Sequence, residues 1–173
     1  MIKFNTLLRV VYTLGVSLIL SQSASAQSVL NFARTTVNDQ QNAGIAVTNP
    51  TSSYANVQFT LYGSDGDPVS SGLVNPVSYR IAPKGQLSML ASDIFATLQA
   101  DGWIQVTSPT SGLTGSYLSG NFSSKLAGSQ AEVALTEQII PLIREDQRTT
   151  TELVVINPNS GNSSATVTFF NSM

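Results

Sequence analysis

Few side chains in this sequence have types and spacings that suggest chemistry, and the best of them are two carboxylates in a glycine-rich stretch. Asp65 and Asp67 flank Gly66 and follow Ser64. Their carboxylate oxygens and the Ser64 hydroxyl are ligands of the kind that calcium, a hard cation, prefers. The same residue types are also the usual components of tight turns. Asp65 and Asp67 are therefore weak metal candidates, and no other cofactor is expected.

Catalysis is not expected from this sequence. Histidine is absent, which excludes the Ser-His-Asp triad, the Cys-His pair and histidine-based zinc sites. A lysine base paired with serine at Ser-x-x-Lys spacing is excluded too, because Ile81 stands three positions before Lys84 and Phe122 three before Lys125. We predict no catalytic residue and no cofactor-binding residue, and hence no enzyme.

The first 26 residues have the layout of a secretory signal peptide. Lys3 and Arg9 form a basic start, residues 10–20 form an apolar run, and residues 24–26 read Ala-Ser-Ala, which suits signal peptidase. The apolar run falls short of the roughly 20 residues that span a bilayer. We expect cleavage after Ala26 and a secreted or extracytoplasmic chain, in the periplasm or at the cell surface, that has no membrane contact once the signal is removed.

Removal of that leader changes the formal net charge from -2 to -4. Nucleic-acid binding is not expected of so acidic a chain, because such binding rests on clustered Lys and Arg that neutralise phosphates. Cysteine is absent, so the fold has to be held by burial rather than by disulfides. This combination favours a bacterial exported protein.

Short runs rich in Val, Ile, Thr, Phe and Tyr alternate with clusters of Gly, Pro, Asn, Asp and Ser, a pattern typical of an antiparallel all-β domain. One segment breaks it, because apolar residues at helical spacing predict a helix over 88–98. Trp103 follows and is expected to fill the core beneath that helix, since large aromatic rings dominate core packing. The predicted strands cover residues 29–35, 44–48, 55–62, 69–73, 77–81, 102–107, 113–122 and 132–136.

The stretch 43–62 returns at 151–170 with a constant offset of 108 and no gap. Asn49-Pro50 falls on Asn157-Pro158, and we interpret both pairs as structural, since proline fixes the backbone and asparagine bonds to nearby backbone where a strand ends. The second copy is apolar on both faces from Leu153 to Ile156, which is typical of a strand buried on both sides.

The domains predicted from this repeat are a signal peptide (1–26), one β-sandwich module (27–137) and the truncated start of a second module (138–173). The alternative is that the last segment supplies extra strands to the first module, in a single pseudosymmetric sandwich that uses both copies.

The chain combines the Gly-Ile-Ala-Val-Thr-Asn-Pro string at 44–50, Asp65-Gly66, the Pro-Lys-Gly turn at 83–85 and the Gly-Trp-Ile-Gln-Val strand at 102–106. In this combination it resembles tandem modules of uncharacterised secreted bacterial proteins. This resemblance implies an antiparallel immunoglobulin-like β-sandwich with one short helix, followed by an incomplete second copy. The resemblance gives no indication of a ligand.

The leading functional hypothesis is an exported, non-enzymatic β-sandwich repeat module with a structural, surface-display or adhesive role. Its expected partners are other modules of a longer parent chain or another surface protein. One alternative is a carbohydrate- or matrix-binding module whose tyrosines at 54, 62, 79 and 117 stack on sugars. Another is a fibre subunit that assembles by strand exchange, which unpaired strand residues at the end of the chain favour.

Overall fold

The computed structural model describes residues 27–140, 143 and 150–170, so the predicted signal peptide lies outside the described residues. The described elements are eight strands and one short helix, in this order: β1 (Ser28–Val37), β2 (Asn42–Thr48), β3 (Ala55–Tyr62), β4 (Val77–Ile81), β5 (Gln86–Leu90), α1 (Ala91–Phe95), β6 (Ala100–Ser108), β7 (Thr114–Gly120) and β8 (Leu126–Gln130). No helix among the described residues is long and apolar enough to cross a membrane.

The strands form two antiparallel four-stranded sheets, one in the order β1-β6-β3-β4 and the other in the order β5-β2-β7-β8. The core lies between them, and its largest fully buried side chains include Phe32, Phe59 and Phe95. The predicted all-β sandwich with one short helix is therefore confirmed.

The alternation of side chains in β3 shows how the sequence specifies these strands. Val57, Phe59 and Leu61 are buried in the core, while Asn56 and Gln58, which alternate with them, are exposed. Successive side chains of a strand point to opposite faces, so this pattern gives one apolar face and one wet face. The predicted bounds of β3 and of β4 agree with the structure.

The predicted helix over 88–98 is wrong at both ends, and most clearly in its first part. Leu87 and Leu90 belong to β5, which pairs with β2, and only Ala91–Phe95 is helical. β2 needs a partner for its second edge, because unpaired backbone groups at a buried strand are costly. Tertiary pairing therefore overrides the helical spacing, and the helix ends at Ala96, whose backbone is left-handed with φ 51°.

The predicted strand at 69–73 does not form. The Asn75 side chain occupies the position beside β3 instead: its Oδ1 accepts the Leu61 N–H at 3.0 Å, and its Nδ2 donates to the carbonyls of Leu61 at 2.7 Å and Val69 at 2.9 Å. An asparagine side chain can replace backbone partners in this way because it carries both a donor and an acceptor.

The last predicted strand of the module, 132–136, is displaced. The eighth strand is Leu126–Gln130, and Glu132 makes only an isolated bridge with Asn31. Asn121 explains the earlier start, because its Oδ1 accepts the N–H groups of Ser124 and Lys125, both at 2.8 Å, and closes a tight turn before Leu126.

Candidate interaction site

The chain passes from one sheet to the other between β2 and β3, and Asn49 organises this passage. We call residues 43–62 the first corner. The buried Asn49 Nδ2 donates to the carbonyls of Ser53 at 2.7 Å, Ala82 at 3.0 Å and Ile81 at 3.3 Å. Its Oδ1 accepts from the Thr51 N–H at 3.1 Å and the Thr51 hydroxyl at 2.7 Å. One amide thus ties the first corner to the connection that joins β4 to β5.

Residues 151–170, which we call the second corner, repeat this turn. Asn157 Nδ2 donates to the Gly161 carbonyl at 2.7 Å, and Asn157 Oδ1 accepts the Asn159 N–H at 3.1 Å. Both bonds are those of Asn49 moved by 108 positions. Each Asn-Pro pair, with Pro50 or Pro158 as its second member, therefore lies in a turn built by the asparagine side chain.

The two corners differ in burial. Val47 and Leu61 are 0% exposed, whereas Val155 and Phe169 at the equivalent positions are 61% and 72% exposed. In the first corner β2 lies between β5 and β7, and β3 lies between β6 and β4. The described residues of the second corner belong to neither sheet. The second corner therefore presents strand-like sequence whose apolar side chains are exposed to solvent.

The second corner contacts the sandwich at β1. Arg34 on β1 forms an ion pair with Glu152, and the backbone of Glu132 in the preceding segment exchanges two hydrogen bonds of 2.9 Å with Asn31. β1 stands at the opposite end of its sheet from β4. These contacts place the start of the second corner on the β1 side. No sequence signal indicated either pair.

The opposite side of the sandwich, at β4 and β5, is open, and the sequence does not predict this. There β4 and β5 are both edge strands, joined by the short connection 82–85. Four inward-facing apolar side chains on these strands are only half-buried: Val77, Tyr79, Leu87 and Met89. The alternation of β4 is visible in the sequence, but the position of β4 and β5 at the edges of their sheets depends on strand order.

The two candidate calcium ligands are turn residues in the structure. Asp65 Oδ1 accepts the Asp67 N–H at 3.1 Å, and the Gly63 N–H donates to the Asp67 carbonyl at 2.9 Å. Among the residues that the structure describes, no three or more Asp, Glu, His or Cys side chains form a group that could hold a metal ion.

Trp103 is buried, as expected, at 8% exposure, but its ring does not lie in the place predicted for it. Its neighbour Ile104 faces the core, so Trp103 points to the outer face of the same sheet. There it stacks on Tyr62, with ring centroids 4.4 Å apart and an interplanar angle of 12°. The core beside the helix is filled by the helix's own Ile94 and Phe95.

The four tyrosines proposed as sugar-stacking residues lie in different environments. Tyr79 packs edge-on against Phe59 and Tyr117 edge-on against Phe32, both from inside the sandwich. Tyr62 is stacked on Trp103, and Tyr54 lies under the Arg80 guanidinium at 3.8 Å. These rings do not form one shared stacking surface.

The burial of Tyr117 has an electrostatic consequence. Loss of solvation raises the pKa of its phenol above the ordinary value of 10.0, and the nearby Arg34 charge opposes this shift. The neutral phenol is therefore the form that the folded protein favours.

No family model matches the chain, and no curated protein matches it. Among solved structures, the chain is similar to one described as the crystal structure of Thermotoga maritima 1070, with 14% sequence identity and a TM-score of 0.50. The match covers 63% of this chain and 95% of that one. At such low identity the likeness concerns the fold alone.

Proposed function

We propose that this protein is an exported, non-enzymatic β-sandwich repeat module with a structural or adhesive role at the cell surface or outside the cell. The observation that carries the proposal is the second corner. It repeats the turn of the first, from Asn157 Nδ2 to the Gly161 carbonyl, yet its apolar side chains are exposed. A repeated building unit with exposed apolar residues fits a protein that makes contact with further modules.

The use of polar side chains within the sandwich supports the same proposal. Asn49 and Asn75 bond to backbone groups that strands would otherwise leave unpaired, and the Ser108 hydroxyl donates to the Asn56 carbonyl at 2.7 Å. Asp65 holds its own turn. These groups stabilise turns and strand ends, as expected of residues that determine a fold.

The resemblance to tandem immunoglobulin-like modules of secreted bacterial proteins belongs to this proposal, as do the signal peptide at 1–26 and the module boundary near 137. The sandwich is the fold that such modules have. The structure explains the glycine of the Gly-Trp pair at 102–103, because a Cβ on Gly102 would lie 1.9 Å from the Tyr62 carbonyl oxygen.

Export is tested by expressing residues 1–173 in a bacterium and sequencing the N-terminus of the recovered chain. We expect a mature chain outside the cytoplasm that begins at Gln27. Ala26→Arg should block cleavage, because signal peptidase requires a small residue there. Ser25→Arg, at the position between the two small residues, is the matched control and should be cleaved. Retention of wild-type chain in the cytoplasm would contradict the proposal.

The structural role is tested against ligand binding on the mature chain, residues 27–173. We expect no specific signal on a glycan array and no change in thermal unfolding when calcium is added, since ligands that bind the folded state raise its stability. Specific glycan binding that Tyr54→Ala abolishes would instead favour the carbohydrate-binding alternative, because that ring is exposed beside Arg80.

A further inference from the structure

In the part of the chain that the structure describes, the open side of the sandwich has two strand edges that no further strand pairs with, and both face the same way. Within the described residues β4 pairs only with β3, and β5 pairs only with β2. Because residues 82–85 connect them directly, the two edges lie next to each other on one side. Unpaired edges are templates for further strands, and an extended segment can add to them through backbone hydrogen bonds.

The core is incompletely covered along these edges. Val77 and Tyr79 on β4, and Leu87 and Met89 on β5, face inward and remain half-buried. On β1, the edge strand at the far side, the inward-facing Leu30, Phe32 and Val37 are buried. The apolar interior is therefore accessible between β4 and β5, and not at β1. We call this accessible strip, lined by Val77, Tyr79, Leu87 and Met89, the seam.

The second corner has the apolar residues that such a seam needs. Its side chains equivalent to the core residues of the first corner are Leu153 and Val155 on one arm, and Val167 and Phe169 on the other. All four are exposed in the described structure. Placed beside β5 and β4, these two arms would continue the core outward by one strand in each sheet.

The first corner shows that this arrangement is geometrically feasible. It already pairs with β5 and β4 on their inner edges, with Ala46 opposite Ser88 and Gln58 opposite Ser78. The second corner has the same turn, and its apolar residues occupy the positions of the inward-facing residues of the first corner, so it can pair antiparallel to the outer edges in the same register. That register places Val154 opposite Ser88 and Thr166 opposite Ser78, and keeps each inward residue facing inward.

The contacts of the second corner favour a partner chain over the chain's own edges. Arg34 on β1 forms an ion pair with Glu152 of the second corner, and Asn31 on β1 makes backbone hydrogen bonds to Glu132 in the segment before it. The second corner therefore starts on the side opposite to β4. A subunit with a donor segment on one side and acceptor edges on the other forms head-to-tail contacts, which extend into chains of subunits.

We propose that the second corner of one molecule adds to the free edges of β4 and β5 in a second copy of this protein, one strand to each sheet. The acceptor sandwich remains intact, which distinguishes this addition from strand exchange. The inference rests on the proposed structural role, since it names the partner of the same exposed corner.

A pair of cysteines tests the register directly, because the chain has no cysteine of its own. In the mature chain, Ser88→Cys with Val154→Cys should give a ladder of disulfide-linked dimers and higher species on a non-reducing gel, as directly opposed residues have Cβ atoms close enough to bridge. Gln130→Cys with Val154→Cys is the control, because Gln130 is exposed on β8, the edge strand at the other end of the same sheet.

The outcomes of the cysteine experiment separate the proposals. A ladder from the first pair alone supports the addition. A monomer with an internal disulfide shows that the second corner binds its own edges, and equal or absent ladders show no preference for β5; each of these results overturns the inference. An exported, folded chain without a ladder refutes this partner alone and leaves the proposed function standing.

Association of the unmodified protein gives an independent readout. The average mass of the mature chain, measured by light scattering over a concentration series, should rise above that of a monomer. Val155→Pro should abolish the rise, because proline removes a backbone donor and disfavours strand pairing. Leu135→Pro is the matched control: Leu135 is 62% exposed, Val155 is 61% exposed, and both lie outside the strands. A wild-type mass that stays monomeric, or a loss with both variants, would overturn the inference.

Discussion

Asn49 and Asn157 lie 108 positions apart and make the same bond to their own turns, from Nδ2 to the carbonyl four residues later, at 2.7 Å in both. Asn49 makes two more bonds, to the carbonyls of Ile81 and Ala82. It is fully buried, and Asn157 is exposed. The same local turn is thus part of the core in one corner and part of the surface in the other.

This difference predicts opposite results for two matched substitutions. Asn49→Ala leaves several buried backbone groups without partners and should lower the free energy of unfolding by about 3 kcal/mol, since each such group costs roughly 1–3 kcal/mol. Asn157→Ala should change it by less than about 0.5 kcal/mol, as is usual for exposed sites. Urea unfolding followed by circular dichroism measures both. Equal losses would mean that the second corner belongs to the cooperative core.

Gly102 is expected to be intolerant of any side chain. A Cβ there would lie 1.9 Å from the Tyr62 carbonyl oxygen, where β6 pairs with β3, so the two strands would have to separate. We expect Gly102→Ala to destabilise the protein by about 3 kcal/mol, within the range for local strain in a folded core. Gly44→Ala is the control, since its new Cβ would meet the Phe122 ring at an ordinary 3.5 Å. Thermal unfolding that is unchanged by Gly102→Ala would contradict this packing.

Trp103 offers a direct probe, because it is the only tryptophan in the chain. Its ring is buried and stacked on Tyr62, so its fluorescence should be poorly quenched by acrylamide in the folded protein and readily quenched after unfolding. Trp103→Ala should cost about 3–5 kcal/mol, as for other buried aromatic rings. Trp103→Phe, which keeps a ring for Tyr62, should cost less. Ready quenching in the folded state would show that the outer face is open there.

Tyr117 should make the protein less stable at alkaline pH. Its pKa in the folded state is raised above 10.0 by burial, so the unfolded chain loses the phenolic proton first. Stability is therefore fully present below pH 10 and falls as the pH rises above it. Tyr117→Phe should flatten this fall in urea unfolding measured across that range, because it removes the group whose pKa burial raises. A slope unaffected by Tyr117→Phe would contradict the assignment.

The sequence predicts some strands and turns correctly and others not, and the structure shows the physical reason for each. β3 was predicted with its correct bounds because Val57, Phe59 and Leu61 alternate strictly with polar residues. The predicted helix over 88–98 is wrong in its first part because Leu90 fits a helical spacing, and the sequence does not show that this segment pairs with β2. Residue type indicates both Asn-Pro turns, but the bonds of Asn49 to the Ile81 and Ala82 carbonyls join it to a distant part of the chain.

The sequence by itself determined the class of fold, the turn chemistry and the repeat, because these depend on side-chain alternation and on local backbone preferences. Only the tertiary structure decided which edges stay free, on which face Trp103 lies, and that Val47 is buried while Val155 is exposed. The two equivalent turns share their local hydrogen bonds. Their burial depends on which strands pair beside them, and that pairing is a long-range property of the whole chain.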